Sequence, residues 1–310
     1  MKNFETYVGI DWSGAKSPIK TPSIAVAMCQ QGKCAPQLLY PPHKENAQNR
    51  NPQNRNKNNR NKNNRNNWSR NNVFQWIQSL EHRTLIGIDA NFGYSEIIGQ
   101  KQFGNNYDYN DLWCAVERES KRCANFFAGG YWQSNCEFFW TQGKMPPNMQ
   151  FPKRQTEIIC RERGFGHPES PFKLIGAKQV GKGGLSAMRM AYALKEKMGN
   201  EICIWPFEQD IANSAKIVIT EIFPRQFLMR SGHGITKVKT IEELNNTLIK
   251  LDCKNKYDTN CFNDHDADAI VSAAGLRMLC GTEKNIPKSI SHPKSINSSA
   301  IKREGWIFGV

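Results

Sequence analysis

Short apolar runs bounded by polar residues predict the strands of this chain. Three runs are apolar enough for buried strands, and two further segments flank the turn at Gln31 and Gly32 as the arms of an antiparallel hairpin. A shorter run in the second half of the chain completes the set. The predicted strands cover residues 7–10, 23–28, 33–40, 84–88, 201–205 and 216–222.

Apolar residues three and four positions apart predict helices between most of these strands. The order, a hairpin followed by strands that alternate with helices, indicates an α/β fold in which helices cover a mixed sheet. The predicted folded domain spans 1–282, and a loose tail rich in Ser, Lys and Pro is expected at 283–310. The predicted helices cover 73–80, 111–127, 185–198, 241–251 and 264–279.

Residues 46–72 interrupt this pattern with a repeat of Asn and basic side chains. Fourteen of these residues are Asn, none is acidic, and an Arg recurs at every fifth position. A period of five fits neither a helix nor a strand, and the segment is too polar to bury, so we expect a disordered insert. The insert is either a non-specific phosphate-binding arm or a loop expansion without a role.

Composition and charge place the chain among basic globular proteins. It has 310 residues, 42 Lys and Arg against 28 Asp and Glu, and a formal net charge of +14, half of which comes from the insert. An anionic partner such as nucleic acid fits this charge. No stretch of 18 apolar residues exists and the N-terminus lacks a signal-peptide pattern, so we expect a cytoplasmic protein that does not enter a membrane.

Ten cysteines are too few for a disulfide-stapled domain of this length, and no C-x-x-C motif is present. Cys29 and Cys34 flank the predicted hairpin turn, where their thiols can face each other. Two interpretations stay open here. The pair either binds a metal or is redox-active, or it consists of two free thiols in a reducing cytoplasm.

Acidic residues end three of the apolar strands. Asp11 and Asp89 follow two of them directly, and Glu221 lies near the end of a third. Open α/β sheets place their sites at the carboxyl ends of the strands, so we expect these side chains to gather at one edge.

The helix predicted at 264–279 adds two carboxylates. Asp264 and Asp268 are four residues apart and lie together at the edge of its apolar stripe, whereas Asp266 points to the opposite face. Two like charges at the edge of a core are costly unless a cation lies between them. His265 lies further from the core and is either a proton donor or outer ligand of the site or an exposed side chain.

This set of carboxylates predicts a centre for Mg²⁺ or Mn²⁺, which prefer hard oxygen ligands. Two such ions about 4 Å apart activate a water and stabilise the leaving oxygen of a phosphodiester. No Ser–His or Cys–His arrangement can be assigned, so water is the expected nucleophile. The sequence therefore predicts a metal-dependent nuclease with Asp11, Asp89, Asp264 and Asp268 as metal ligands and with these four and Glu221 as catalytic carboxylates.

Several segments resemble the DUF429 family, a group of predicted nucleases with the ribonuclease H-like fold. Their order and spacing extend over most of the chain outside the insert and the tail. The similar motifs are GIDWSGAK at 9–16, LIGIDANFG at 85–93, PFKLIGAKQVGKGGLSAM at 171–188, WPFE at 205–208, ITEIFPRQF at 219–227 and DADAIVSAAGLR at 266–277.

The resemblance implies a mixed five-stranded sheet flanked by helices, with the first strand central. Asp11 would lie on that strand and Asp89 on its parallel neighbour, and the helix that carries Asp264 and Asp268 would pack beside them. Glu221 matches the Glu-x-x-Pro segment of the family. Family members often carry paired acids at the start of the helix, where this chain has His265 after Asp264.

Basic residues near these motifs are the expected contacts to the phosphates of DNA or RNA. Two other functions stay open. One is a nucleic-acid-binding module without catalysis, and the other is a phosphotransferase of the actin and sugar-kinase type, which needs two such domains and a second phosphate motif. The expected phosphate contacts are Lys16, Lys173, Lys178, Lys182, Arg118 and Arg122.

Overall fold

Six strands form one mixed sheet at the centre of the structure, a computed structural model that describes residues 4–17, 23–42, 67–145, 149, 151–176, 179–254, 256–257, 262–281 and 298–310. The strands are β1 (Thr6–Asp11), β2 (Ala25–Gln30), β3 (Gln37–Leu39), β4 (Thr84–Ile88), β5 (Ile202–Trp205) and β6 (Ile217–Glu221). They lie in the order β3-β2-β1-β4-β6-β5. β2 is antiparallel to both of its neighbours, and the other pairs are parallel.

The hydrophobic pattern predicts each of these strands, and the α/β class is confirmed. The five strands implied by the family resemblance are one too few. β5 adds a sixth strand at the edge of the sheet, where it pairs in parallel with β6 and is buried along its whole length.

Helices flank the sheet on both faces. The predicted helix at 111–127 ends seven residues early, because the chain turns after Ser120 and reaches positive φ angles at Asn125 and Phe126. Five short helices have no counterpart in the prediction: α2, α4, α5, α7 and α10. The helices in the described residues are α1 (Arg70–Gln78), α2 (Glu96–Phe103), α3 (Tyr109–Ser120), α4 (Gly129–Ser134), α5 (Gln155–Glu162), α6 (Gly181–Met198), α7 (Pro224–Arg230), α8 (Ile241–Lys250), α9 (Asp264–Cys280) and α10 (Ser298–Glu304).

Two apolar layers cover the two faces of the sheet. Helices α7, α8 and α9 pack on one face, and α1, α3 and α6 pack on the other. Side chains alternate between the faces along a strand. In β6, Val218 joins the layer of α9, whereas Ile217 and Ile219 join the opposite layer.

Helix α9 lies unusually close to β1. A Cβ atom at Gly9 would collide with the carbonyl oxygen of Ala269 and with the backbone of Ala273, so only glycine permits this approach. The small residues of the helix face the strand for the same reason. This packing fixes the height of α9 above the end of β1 and positions the candidate site.

The insert is shorter at its C-terminal end than the repeat pattern predicts. The pattern extends to residue 72, but α1 begins at Arg70 and is capped by Ser69. Trp68 is buried, and its Nε1 donates to the carbonyl of Leu39 at 2.9 Å. Residues 46–66 lie outside the described residues.

The C-terminal segment is not a loose tail in residues 298–310. Trp306 and Phe308 are buried, and the amide of Phe308 donates to the carbonyl of Glu221 at 2.9 Å. The apolar residues at the very end of the chain therefore complete the core beside β6. None of the helices in the described part of the chain has the length and apolarity needed to cross a bilayer.

Candidate active-site cleft

Two aspartates lie side by side at the carboxyl edge of the sheet. β1 and β4 are parallel neighbours with Ile10 opposite Ile88, so Asp11 and Asp89 follow at the same level. The amide of Asp89 donates to the carbonyl of Ile10 at 2.9 Å, which extends the pairing by one residue. The apolar runs thus bring together the two acids that follow them.

Helix α9 brings further side chains to this edge. Asn263 caps its N-terminus and accepts from the amide of Asp266 at 3.0 Å, which fixes the start of the first turn. The Nδ1 atom of His265 and the Oδ2 atom of Asp11 are 2.5 Å apart. Asp268 lies one turn further along and lines the same cleft as Asp11.

The cleft has a volume of about 620 Å³. The loop after β1 and the first turn of α6 form one of its walls. Trp12 is buried and its Nε1 donates to the carbonyl of Gly183 at 3.2 Å, which ties the loop to the helix. The buried Arg70 donates from Nη1 to the carbonyls of Ser13 and Ala15 at 2.6 and 2.9 Å. The charged and titratable side chains that line the cleft are Asp11, Asp89, Asp268, Lys16, Lys182, Lys237 and His265.

Burial and mutual repulsion raise the pKa values of the three aspartates. The pKa of Asp89 is well above its ordinary range, first because of burial and then because of the charges of Asp11, Asp268 and Glu221. Burial, followed by the charge of Asp11, raises the pKa of Asp268 to about 7. Burial also raises the pKa of Asp11, although the hydrogen bond with His265 offsets part of this effect.

Nearby positive charges offset only part of the rise in the pKa values of Asp89 and Asp268: Lys237 acts on both, and Arg225 and His265 also act on Asp268. Neither carboxylate makes a hydrogen bond or an ion pair with any residue that the structure describes. Half-buried carboxylates in this situation take up a proton or bind a cation, because either change relieves the cost of desolvation and repulsion.

His265 and Lys237 complete the electrostatics of the cleft. The pKa of His265 is raised, chiefly by the hydrogen bond with Asp11, which outweighs the opposing effect of burial. Burial lowers the pKa of Lys237, but the hydrogen bond with Asp264 and the charges of Asp268, Asp264 and Asp11 raise it overall. Of the two roles that the sequence leaves open for His265, the contact with Asp11 favours a part in the site. Lys237 lies in the loop before α8, where no periodic pattern points to it.

Glu221 is not part of this cleft. It follows Ile217 and Ile219 in the alternation of β6, so its side chain points to the opposite face of the sheet from α9. There it accepts from both terminal nitrogens of the buried Arg154, at 2.8 and 2.5 Å, and Arg154 also donates to Glu157 at 2.9 Å. The predicted catalytic carboxylate is thus half of a buried ion pair. It lines a separate cavity of about 100 Å³ that Asp89 also reaches.

Asp264 lies at the rim rather than inside the cleft. Its side chain is exposed and forms an ion pair with Lys237 at 3.0 Å. The helical wheel places Asp264 and Asp268 on one edge of α9, but the first turn extends past the end of β1 and leaves Asp264 in water. Its role in the structure is to hold Lys237 beside the cleft.

The predicted phosphate contacts divide into two groups. Lys16 and Lys182 line the cleft. Lys173 instead pairs with Glu169 at 3.6 Å. Arg118 and Arg122 are exposed on and after α3 and do not line the cleft. Lys178 lies outside the described residues.

The cleft contains the type of donor atom that a hard divalent cation prefers, but these atoms are not spaced to bind one as they stand. The three candidate ligands are all carboxylates, the donors that Mg²⁺ and Mn²⁺ prefer. Among the described residues, however, no three His, Cys, Asp or Glu side chains are arranged so that they could hold a metal ion as they stand. Binding of an ion therefore requires the carboxylates of Asp11, Asp89 and Asp268 to turn towards a common point.

Comparison of the chain with models of protein families, with curated proteins and with solved structures gives no match. A function for this chain is therefore inferred from the geometry and the charges of the cleft.

Proposed function

We propose that this protein is a divalent-metal-dependent nuclease that hydrolyses phosphodiester bonds of nucleic acid in the cleft between β1, β4 and α9. One observation carries the proposal. Asp89 and Asp268, two half-buried carboxylates without partners among the described residues, lie beside Asp11 in a cleft that also holds three lysines. A site for polyanions gains nothing from clustered carboxylates unless a cation joins them.

The basic residues of the cleft suit an anionic substrate. Lys16, Lys182 and Lys237 lie around the carboxylates. The first turn of α6 has no acidic residue and no side-chain cap, so the positive end of this helix lies beside Lys182 and Gly183 without a compensating side chain. Such a helix end favours a phosphate group.

Mg²⁺ or Mn²⁺ would be held by Asp11, Asp89 and Asp268, and it would supply an activated water and stabilise charge on the leaving oxygen. The chain itself supplies orientation. The Nδ1 atom of His265 is hydrogen-bonded to Oδ2 of Asp11, which fixes the direction of that carboxylate. Asp264 keeps the ammonium group of Lys237 at the rim, where it faces an entering phosphate.

The proposal includes a ribonuclease H-like fold. Three features support it: β1 lies between the antiparallel β2 and the parallel β4, the two aspartates end β1 and β4, and α9 packs on β1. The phosphotransferase alternative needs two domains of this kind, whereas the strands in the described residues form one sheet. No observation favours that alternative.

Cleavage assays with matched variants test the proposal. The wild type is incubated with single-stranded, duplex and branched DNA and RNA at low salt, with Mg²⁺, Mn²⁺ or EDTA. Asp11→Asn keeps the shape of the side chain but removes a ligand charge, so D11N is expected to lose cleavage and to retain substrate binding. Asp266→Asn lies in the helix cap outside the cleft and serves as the matched control, with activity close to wild type.

Two results would overturn the proposal. Equal cleavage by wild type and D11N places the activity elsewhere. Binding of nucleic acid without cleavage of any substrate, with either metal, favours the non-catalytic binding module.

A further inference from the structure

Cys34 and Cys253 are brought together by contacts between the β2–β3 loop and the segment after α8. The carbonyl of Lys33 accepts from the amide of Lys254 at 2.8 Å, and the Nζ atom of Lys33 pairs with Oδ1 of Asp252 at 2.6 Å. Cys34 follows Lys33 and Cys253 precedes Lys254, so the two cysteines flank one backbone hydrogen bond between the segments.

Arg277 of α9 joins the same two cysteines through a single guanidinium group. Its Nη1 donates to the carbonyl of Cys34 at 2.6 Å, and its Nη2 donates to the sulfur of Cys253 at 3.0 Å. Burial raises the pKa of the Cys253 thiol, Arg277 lowers it, and Cys34 is close enough to contribute a smaller effect. Both residues therefore lie around one small planar group.

The exposure of the two cysteines differs in a way that suits stepwise oxidation. Cys34 is exposed to solvent, and Cys253 is buried, with 4% of its surface accessible. A soluble oxidant therefore meets Cys34 first. Cys29 also lies near Cys253, but it belongs to β2 and its thiol donates to the carbonyl of Ala273 in the sheet–helix interface at 3.6 Å.

We propose that Cys34 and Cys253 form a redox-active pair that hydrogen peroxide converts to a disulfide. The sulfur of Cys34 attacks one oxygen of the peroxide, the O–O bond breaks, and a sulfenic acid and one water form. The sulfur of Cys253 then attacks the sulfur of Cys34. The S–S bond forms, the S–O bond breaks, and the hydroxyl group leaves with the thiol proton as a second water.

In the complete reaction, the two thiols lose two electrons and two protons, and one hydrogen peroxide is reduced to two waters. Disulfides join residues whose Cα atoms are about 4.4–6.8 Å apart. The hydrogen bond between Lys254 and Lys33 and the shared guanidinium group of Arg277 bring Cys34 and Cys253 towards each other. The pair is independent of the proposed nuclease activity, because neither cysteine lines the cleft.

Peptide mapping of the full-length protein tests the pair. The reduced protein is treated with hydrogen peroxide, free thiols are blocked with iodoacetamide, and trypsin digestion is carried out without reductant. Cleavage after Lys33 and Lys250 places the two cysteines in the peptides 34–44 and 251–254, and Cys29 in the separate peptide 21–33. The expected product is a cross-linked pair of 34–44 with 251–254 that dithiothreitol separates, with Cys29 still alkylated.

Serine variants sharpen the result. C253S is expected to lose the cross-link and to accumulate a sulfenic acid at Cys34 that dimedone traps, whereas C29S serves as the matched control and forms the cross-link like wild type. C34S changes only an exposed side chain and is expected to leave Cys253 reduced. A disulfide between Cys34 and Cys29, or conversion of Cys34 to a sulfinic acid without any cross-link, would overturn the proposal.

Discussion

Between about pH 4 and pH 7, Asp268 keeps its proton in the folded protein, whereas the same side chain has lost it in the unfolded chain. Its pKa rises from an ordinary value of 3.8 to about 7 on folding. The associated stability is therefore fully present below about pH 4 and is lost as the pH rises towards 7. Burial raises the pKa values of Asp11 and Asp89 as well, so they act in the same direction.

Replacing Asp268 with Asn removes this loss. The free energy of unfolding of D268N should exceed that of the wild type by a margin that is about 2–3 kcal/mol larger at pH 8 than at pH 5. Chemical denaturation at the two pH values measures the difference. D266N, changed in the helix cap, is expected to show no such pH-dependent gain. A D268N variant that is less stable than wild type at pH 8 contradicts the electrostatic account of the cleft.

The role of Glu221 is a second prediction at the residue scale. Its carboxylate is occupied by Arg154 on the other face of the sheet, so it is not available as a metal ligand. We expect E221Q to retain metal-dependent cleavage within about tenfold of wild type, at the cost of some stability, whereas D89N loses it. Both variants are assayed on the same nucleic acid at saturating Mg²⁺. Complete loss of cleavage in a folded E221Q would return Glu221 to the catalytic set.

Glu221 also shows what residue-level prediction from sequence can and cannot reach. Its position at the end of an apolar run resembles those of Asp11 and Asp89, but the alternation of β6 turns it to the other face. Its partner, Arg154, is 67 positions away in sequence. No periodicity links residues across that distance, so the ion pair appears only once the chain is folded.

At the scale of elements, the strands and the long helices follow from the sequence because their apolar patterns are strong. The short helices α2, α4 and α5 do not, since a helix of six to eight residues has too few positions to establish a period. The buried end of the chain is hard to predict because it adjoins a polar stretch. Trp306 and Phe308 are the signal in the sequence that indicates a buried segment there.

The start of α1 gives a prediction about the insert. Trp68 contacts Leu39, so the chain before and after residues 43–66 meets at this contact, and we expect that a short connection can replace the insert. We expect deletion of residues 46–66 to leave the melting temperature unchanged within about 1 °C. Deletion of 46–72 is expected to lower it by several degrees, because it removes Trp68, the Ser69 cap and the buried Arg70. Equal losses for the two deletions would mean that residues 46–66 carry structure.

At the scale of the whole molecule, a net charge of +14 favours polyanions in general, and we propose that the cleft determines where they are held. Lys16, Lys182 and Lys237 line it, while Arg118 and Arg122 lie elsewhere. Lys16 and Lys182 can be proposed from the sequence because they adjoin recognisable motifs. Lys237 cannot, since only the fold brings its loop to α9.

Salt dependence of binding tests this distribution of charge. In the D11N background, which is expected to block cleavage, the affinity for a single-stranded oligonucleotide is measured at several salt concentrations. Replacement of Lys16, Lys182 and Lys237 by Ala is expected to make the slope of log K against log salt shallower by about 2, at about 0.7 per lost phosphate contact. Replacement of Arg118 and Arg122 by Ala is the matched control. An equal change of slope in the two sets would mean that the cleft does not hold the phosphates.

The most direct test of the central claim is a crystal structure of the wild-type protein grown with Mn²⁺, with the metal located by its anomalous scattering. The predicted result is an anomalous peak about 2.2 Å from carboxylate oxygens of Asp11, Asp89 and Asp268. The same peak is expected to be absent from crystals of D89N and present in crystals of D266N. A peak bound by other residues, or no peak in the cleft at millimolar Mn²⁺, would contradict the account.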